Sequence, residues 1–208
     1  MRTRGSTARS AGTTGNAAAS EPLPLAWYER DTLEVARDLL GKVLVRTLPD
    51  GRALRVRLVE VEAYCGPDDL AAHSSRGLTP RTRVMFGPAG HAYVYLIYGV
   101  WHCLNFVTRP AGFPQAVLIR AGEPLTGEGR CSGPGLLCRS LQIDRALNGS
   151  ALLPPAIYVE DDGFRPEAVF TTPRIGVEYS GEWSAKPWRF CLDSPALSRR
   201  LTKPRAAG

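Results

Sequence analysis

Two carboxylates two residues apart, Glu60 and Glu62, lie in the run Leu58-Val59-Glu60-Val61-Glu62-Ala63-Tyr64. A strand alternates faces with a period of two, so Glu60, Glu62 and Tyr64 share one face and Val59, Val61 and Ala63 the other. Two acids so placed can divide acid and base work, as paired carboxylates do in glycosidases. A solvated edge strand would carry the same pattern. Further along, Tyr93-Val94-Tyr95-Leu96-Ile97-Tyr98-Gly99-Val100-Trp101-His102-Cys103-Leu104-Asn105 is a second strand-forming run. Gly99 interrupts it, which signals a tight hairpin, a bulge or a close backbone approach, and sets Tyr98 at a tip. Arg120 stands inside the apolar run from Ala116 to Ala121. A cation there is seldom buried alone, so a carboxylate is expected beside it, with Glu62 and Glu123 as candidates. His73, His102 and a glutamate are the residue types of a metal hydrolase, but neither His-Glu-x-x-His nor another compact ligand spacing occurs.

The elements that must position these groups follow from punctuation and periodicity. Asp31 to Gly41 has an acidic cap, a stripe of Leu33, Ala36, Leu39 and Leu40, and a terminal glycine, and is expected to be a helix. Lys42 to Thr47 is strand-like, and Pro49-Asp50-Gly51 turns it back into the strand of Glu62, so the sheet is at least partly antiparallel. Pro67 to Pro88 is expected to be loop with one short helix around Leu70 to His73. Its Arg76, Arg81 and Arg83 either meet phosphates, hold the loop down or form a solvated face. Ser132-Gly133-Pro134-Gly135 opens a helix through Leu141 whose first amides could receive a phosphate, although an ordinary helix start explains the pattern. Ile157 to Glu160 is a short strand, followed by a turn at Asp161-Asp162-Gly163. From Pro195 the chain is expected to fray into a basic tail.

A chain of 208 residues with 44% hydrophobic and 22% charged content is long enough for one well-buried domain. The boundaries expected are a basic tail over 1–20, a domain over 21–202 and a C-terminal tail over 203–208. The net charge of +6 and pI near 9.3 suit a polyanionic partner. Only three of the 26 basic residues are lysines, a skew that a GC-rich genome also produces. Met1 to Ser20 lacks the apolar run of a secretory signal and is expected to be disordered. No stretch approaches the roughly 18 apolar residues of a membrane span. The five cysteines are odd in number and contain no Cys-x-x-Cys pair, which favours reduced thiols packed as small hydrophobes in a cytoplasmic protein.

Several long motifs in one order carry a resemblance: V-E-V-E-A-Y-C-G-P-D-D-L-A-A-H-S, T-P-R-T-R-V-M-F, Y-V-Y-L-I-Y-G-V-W-H-C-L-N, A-V-L-I-R-A-G-E-P, G-P-G-L-L-C and R-I-G-V-E-Y-S-G-E-W-S-A-K-P-W-R-F. The chain resembles the alkyladenine (3-methyladenine) DNA glycosylases over almost everything after residue 25. The resemblance implies a single α+β domain around a curved, largely antiparallel sheet with flanking helices and a protruding Tyr98 hairpin, similar to the domain appended to formyltransferases. It implies a monofunctional hydrolase of the N-glycosidic bond that acts on alkylated or deaminated purines swung out of duplex DNA. It selects Glu62 over Glu60 as the base for water, with Arg120 and the main-chain carbonyl of Ile175 as further water contacts. It implies Tyr64, His73, Tyr95 and Asn105 as the base pocket and Tyr98 as the intercalating residue. Read from the residues themselves, Trp183 and Trp188 are expected to pack, and the cations Lys186 and Arg189 to edge the DNA surface. No metal or cofactor is implied, and the expected state is a monomer at the nucleoid of a bacterial cytoplasm, or in the nucleus of a eukaryote. Leu136 departs from the pattern, because relatives often carry lysine there. A non-catalytic nucleic-acid-binding module of similar fold is the alternative.

Overall fold

The computed structural model describes residues 20–127 and 129–201; the tails expected over 1–20 and 203–208 lie outside them except for Ser20. Among the described residues nine strands form one wholly antiparallel sheet, β1 (Glu21–Pro22), β2 (Val43–Thr47), β3 (Ala53–Tyr64), β4 (Ala92–Ile97), β5 (Trp101–Thr108), β6 (Gln115–Pro124), β7 (Ile157–Asp161), β8 (Phe170–Thr172) and β9 (Arg189–Cys191). The order along the sheet is β1-β7-β2-β3-β6-β5-β4, and β9, itself paired to β8, joins the far half of β3. Helices α1 (Thr32–Leu39) and α2 (Pro134–Ser140) flank this curved sheet, so the class is α+β as expected.

Local chemistry explains the elements that frame the site. Asp31 accepts hydrogen bonds from the Leu33 and Glu34 amides, which satisfies two of the donors orphaned at a helix start. The helix ends where Gly41 takes φ 84°, and its face of Val35, Ala36 and Leu39 is wholly buried over the sheet. Tyr28 and Phe106 meet edge to face at 6.1 Å in the same core. Burial of a side chain such as Val35 or Leu39 is worth about 1.5–3 kcal/mol, so these contacts fix α1 over the strands that carry the site.

The solvated-edge pattern gives way to the opposite arrangement. β3 is central, with β6 along one side and β2 then β9 along the other, and Val59 through Ala63 are buried on both faces. The short helix expected around Leu70 to His73 is displaced to a 3-10 turn over His73–Arg76. Its reason is Asp69, whose carboxylate takes the Cys65 and Ala71 amides and so holds the preceding residues in a non-helical turn. Nor does the chain fray from Pro195: Leu197 is buried and Ser198 reaches Glu60. All five cysteines are free thiols, buried except for the half-buried Cys65. Among the described residues no helix is long and apolar enough to cross a membrane.

Candidate active site

β4 and β5 meet in a tight turn, with Tyr98 and Gly99 both at positive φ, 53° and 69°, between the paired residues Ile97 and Trp101. Glycine tolerates that region without strain; tyrosine does so only uncommonly. Tyr98 stands 87% exposed at the tip, as the interruption at Gly99 predicts. Beside the hairpin opens a cavity of about 550 Å³. Tyr64, His73, Tyr95, Tyr98, Asn105, Arg120 and Ile175 all line it, so seven of the eight expected site residues converge. Glu62, the eighth, is fully buried and touches the site only through its partners.

Those partners surround the carboxylate. Glu62 Oε2 accepts hydrogen bonds from the Tyr64 hydroxyl at 3.0 Å and from Arg120 Nη1 at 3.1 Å. Glu62 Oε1 accepts the Ile175 amide at 2.8 Å. The Ile175 main chain therefore meets Glu62 through its N–H. Arg120 pairs with Glu60 as well as Glu62, whereas Glu123, the other expected partner, accepts the Ser194 hydroxyl. The register explains the exchange: β6 pairs Ala121 with Glu60 and Ile119 with Val61, and Arg120 between them has no partner in the ladder. A bulge of this kind re-aims a side chain, here towards the face shared by the two glutamates.

The aromatic wall is equally defined. His73 and Tyr95 meet edge to face with centroids 4.6 Å apart, and His73 Nδ1 is hydrogen-bonded to the Tyr93 hydroxyl at 3.0 Å. Burial first, then the guanidinium groups of Arg81 and Arg76, push the His73 imidazole down to about 4, so it is neutral at physiological pH. Burial likewise drives Tyr64 and Tyr95 well above the usual phenol range, with the Glu62 charge adding to the effect at both rings, so both keep their protons. Asn105 donates from Nδ2 to the Tyr93 carbonyl at 3.1 Å.

Sequence reasoning missed a second ion pair that supports this wall. Arg174 and Asp69 are both fully buried and bonded at 2.5 and 2.8 Å, and the guanidinium lies 4.8 Å from the Tyr64 ring centroid and 5.0 Å from that of Trp188. Arg189, expected at a DNA-facing edge, is instead buried against Glu60 at 2.8 Å because β9 lies on β3. The signal was available: a cation inside Trp188-Arg189-Phe190-Cys191-Leu192 needs a partner for the same reason as Arg120. Trp183 and Trp188 do pack together, at 5.7 Å, and Lys186 lies over Trp183. Of the loop arginines, Arg81 lies 5.1 Å over Tyr95. Leu136 presents an apolar side chain to the cavity, and α2 packs close enough to β5 that a Cβ on Gly135 would come within 2.7 Å of the Trp101 ring. Among the described residues no three His, Cys, Asp or Glu side chains converge as metal ligands would.

Residues 26–196, which include every group above, match the family model for methylpurine-DNA glycosylases. The chain belongs to the methylpurine-DNA glycosylase family. Proteins named "Putative 3-methyladenine DNA glycosylase" are similar to it along most of their length. That of Methanocella arvoryzae is 51% identical over 193 residues, covering 86% of this chain and 96% of the relative. That of Anaeromyxobacter dehalogenans strain 2CP-1 is 56% identical over 180 residues, 85% of each chain. That of Legionella pneumophila strain Corby is 50% identical over 181 residues, covering 85% of this chain and 98% of the relative. As a DNA glycosylase this protein is a hydrolase of N-glycosyl bonds in base excision repair, which sets aside the reading as a binding module without catalysis.

Proposed function

We propose that this methylpurine-DNA glycosylase releases 3-methyladenine and related alkylated or deaminated purines, including 7-methylguanine, hypoxanthine and ethenoadenine, from duplex DNA, acting as a monomer without strand cleavage. The observation that carries the reading is the Glu62–Arg120 pair behind a cavity walled by Tyr64, His73 and Tyr95, with Tyr98 standing free at its rim.

The C1′ carbon is shielded inside a stacked duplex, so the nucleotide must leave the helix at a cost of a few kcal/mol. Tyr98 fills the gap, and stacking at roughly 1–3 kcal/mol per base offsets much of that cost. The purine enters between Tyr64 and the His73–Tyr95 wall, where electron-rich faces favour a cationic alkylated base by about 0.5–2 kcal/mol. Asn105 crowds the purine edge and disfavours an exocyclic amino group like that of guanine. Water then attacks C1′, the N-glycosidic bond breaks with its electron pair going to the base, and Glu62 takes the proton that water gives up. A quaternised purine departs neutral; hypoxanthine or ethenoadenine needs a proton or a hydrogen bond on the leaving group. Arg120 supplies the countercharge for Glu62, and it orients the water together with the Ile175 carbonyl. Among the described residues no lysine lines the cavity, in keeping with attack by water.

The test is base release from duplexes carrying each of the four lesions, with chelator present. Glu62→Gln is expected to slow release by roughly 10²–10⁴-fold, the usual contribution of a general base, while duplex affinity holds. Release at the original rate with unchanged binding would overturn the mechanism.

A further inference from the structure

Glu60 plays no part in the chemistry above, yet it is the more heavily bonded of the two carboxylates. Fully buried, its Oε1 accepts hydrogen bonds from Arg120 Nε at 3.1 Å, Arg189 Nε at 2.8 Å and the Ser198 hydroxyl at 2.6 Å. Its Oε2 accepts the Ser198 amide at 2.6 Å. Three donors on Oε1 and one on Oε2 commit the carboxylate to Arg120, Arg189 and Ser198, and it does not line the cavity.

We infer that Glu60 is a positioning residue, which holds Arg120 by its Nε so that Arg120 meets Glu62 through one nitrogen only and leaves the catalytic carboxylate free to receive water. The inference rests on the reading of Glu62 as the base. An arginine and a carboxylate left to themselves prefer a bidentate fork, two parallel N–H···O bonds. Such a fork on Glu62 would occupy both of its oxygens, which already accept Tyr64 and the Ile175 amide. With Nε on Glu60 the fork through Nε is closed to Glu62; Arg120 meets it through Nη1 on Oε2, and Glu62 Oε1 accepts only the Ile175 amide among the described residues. Arg120 Nη2 bonds no described residue, and Arg120 lines the cavity.

The anchor is closed from outside the sheet. Arg189 donates from Nη2 to the Arg199 carbonyl at 2.7 Å while its Nε holds Glu60, and Ser198 supplies the other two donors. The segment around 198–199 therefore fixes Glu60, Glu60 fixes Arg120, and Arg120 fixes the geometry at Glu62. Two carboxylates and two guanidinium groups balance in charge, which is the condition for burying all four.

The experiment is single-turnover base release, with enzyme in saturating excess over a hypoxanthine-containing duplex, for Glu60→Gln, Ser198→Ala and Glu62→Gln in parallel. As long as the folded fraction remains in saturating excess, the rate constant is independent of how much of the protein is folded, so a purely structural role would leave it unchanged. Glu60→Gln is expected to slow the rate constant by about 100-fold, the scale of an ångström-sized misplacement, with duplex affinity within about twofold of the original. Ser198→Ala, which removes one of the four donors, is expected to slow it by roughly tenfold, as loss of an outer partner does at metal ligands. An unchanged rate constant in Glu60→Gln overturns the inference. Should that variant not fold, an unchanged rate constant in Ser198→Ala overturns it equally. If Glu62→Gln itself retains the original rate, the underlying mechanism has failed instead.

Discussion

Replacing Asp69 with asparagine isolates the support behind the base pocket. Both members of the Asp69–Arg174 pair are fully buried, and the carboxylate also holds the Cys65 and Ala71 amides. Asparagine keeps the shape and one acceptor oxygen but leaves the Arg174 charge uncompensated in the interior. Breaking a buried pair from one side costs about 3–5 kcal/mol. In a chain of this size each kcal/mol lowers the melting temperature by roughly 2–4 °C, so Asp69→Asn is expected to melt about 6–20 °C lower. Salt screens exposed pairs far more than buried ones, so the deficit should persist at high ionic strength. Adding Arg174→Met removes the stranded cation and should recover about half of the loss, the remainder being the Ala63 and Trp183 carbonyls that Arg174 also serves. Thermal melts followed by circular dichroism at low and high salt measure all of this. A deficit below about 3 °C, or a double variant no more stable than the single one, would refute the account of the pair as the wall's support.

Tyr98→Ala separates binding from folding. The side chain is almost free of protein contact, so stability should change by less than about 0.5 kcal/mol, while loss of 1–3 kcal/mol of stacking weakens flipping by about 5–150-fold, read as base release from duplex substrate. A melt lowered in step with the rate would count against it. His73 gives a pH signature. Its folded value near 4 lies below the ordinary value of about 6.5, so the unfolded chain takes up the proton first and the native state loses stability as pH falls from about 6.5 to about 4. In His73→Gln this part of the acid sensitivity should vanish, seen as a smaller drop in melting temperature between pH 7 and pH 5; equal drops in both proteins would sink the assignment.

Local pattern made much of this architecture legible. Period-two alternation put Glu60, Glu62 and Tyr64 on one face, and Gly99 marked the tip where Tyr98 stands. What escaped depended on long-range register. Arg120 reaches Glu60 and not Glu123 because β6 carries an unpaired residue at that point, and no local sequence feature announces such a slip. Arg174 and Asp69 are 105 positions apart, so neither predicts the other. The strand of Glu62 reads as half-exposed because nothing local shows that β9 covers its edge, and Arg189 reads as a surface cation for the same reason.

The placement of the five thiols has its own outcome. Burial pushes Cys65 and Cys191 up to about 12 and raises Cys103, Cys131 and Cys138 in the same direction. Thiolate is the nucleophilic form, so at cellular pH none of them offers a reactive sulfur, including Cys103 at the cavity wall. Alkylating agents that react through thiolate sulfur are thus expected to spare these five positions, so the free-thiol count of the folded protein should survive an exposure that methylates DNA.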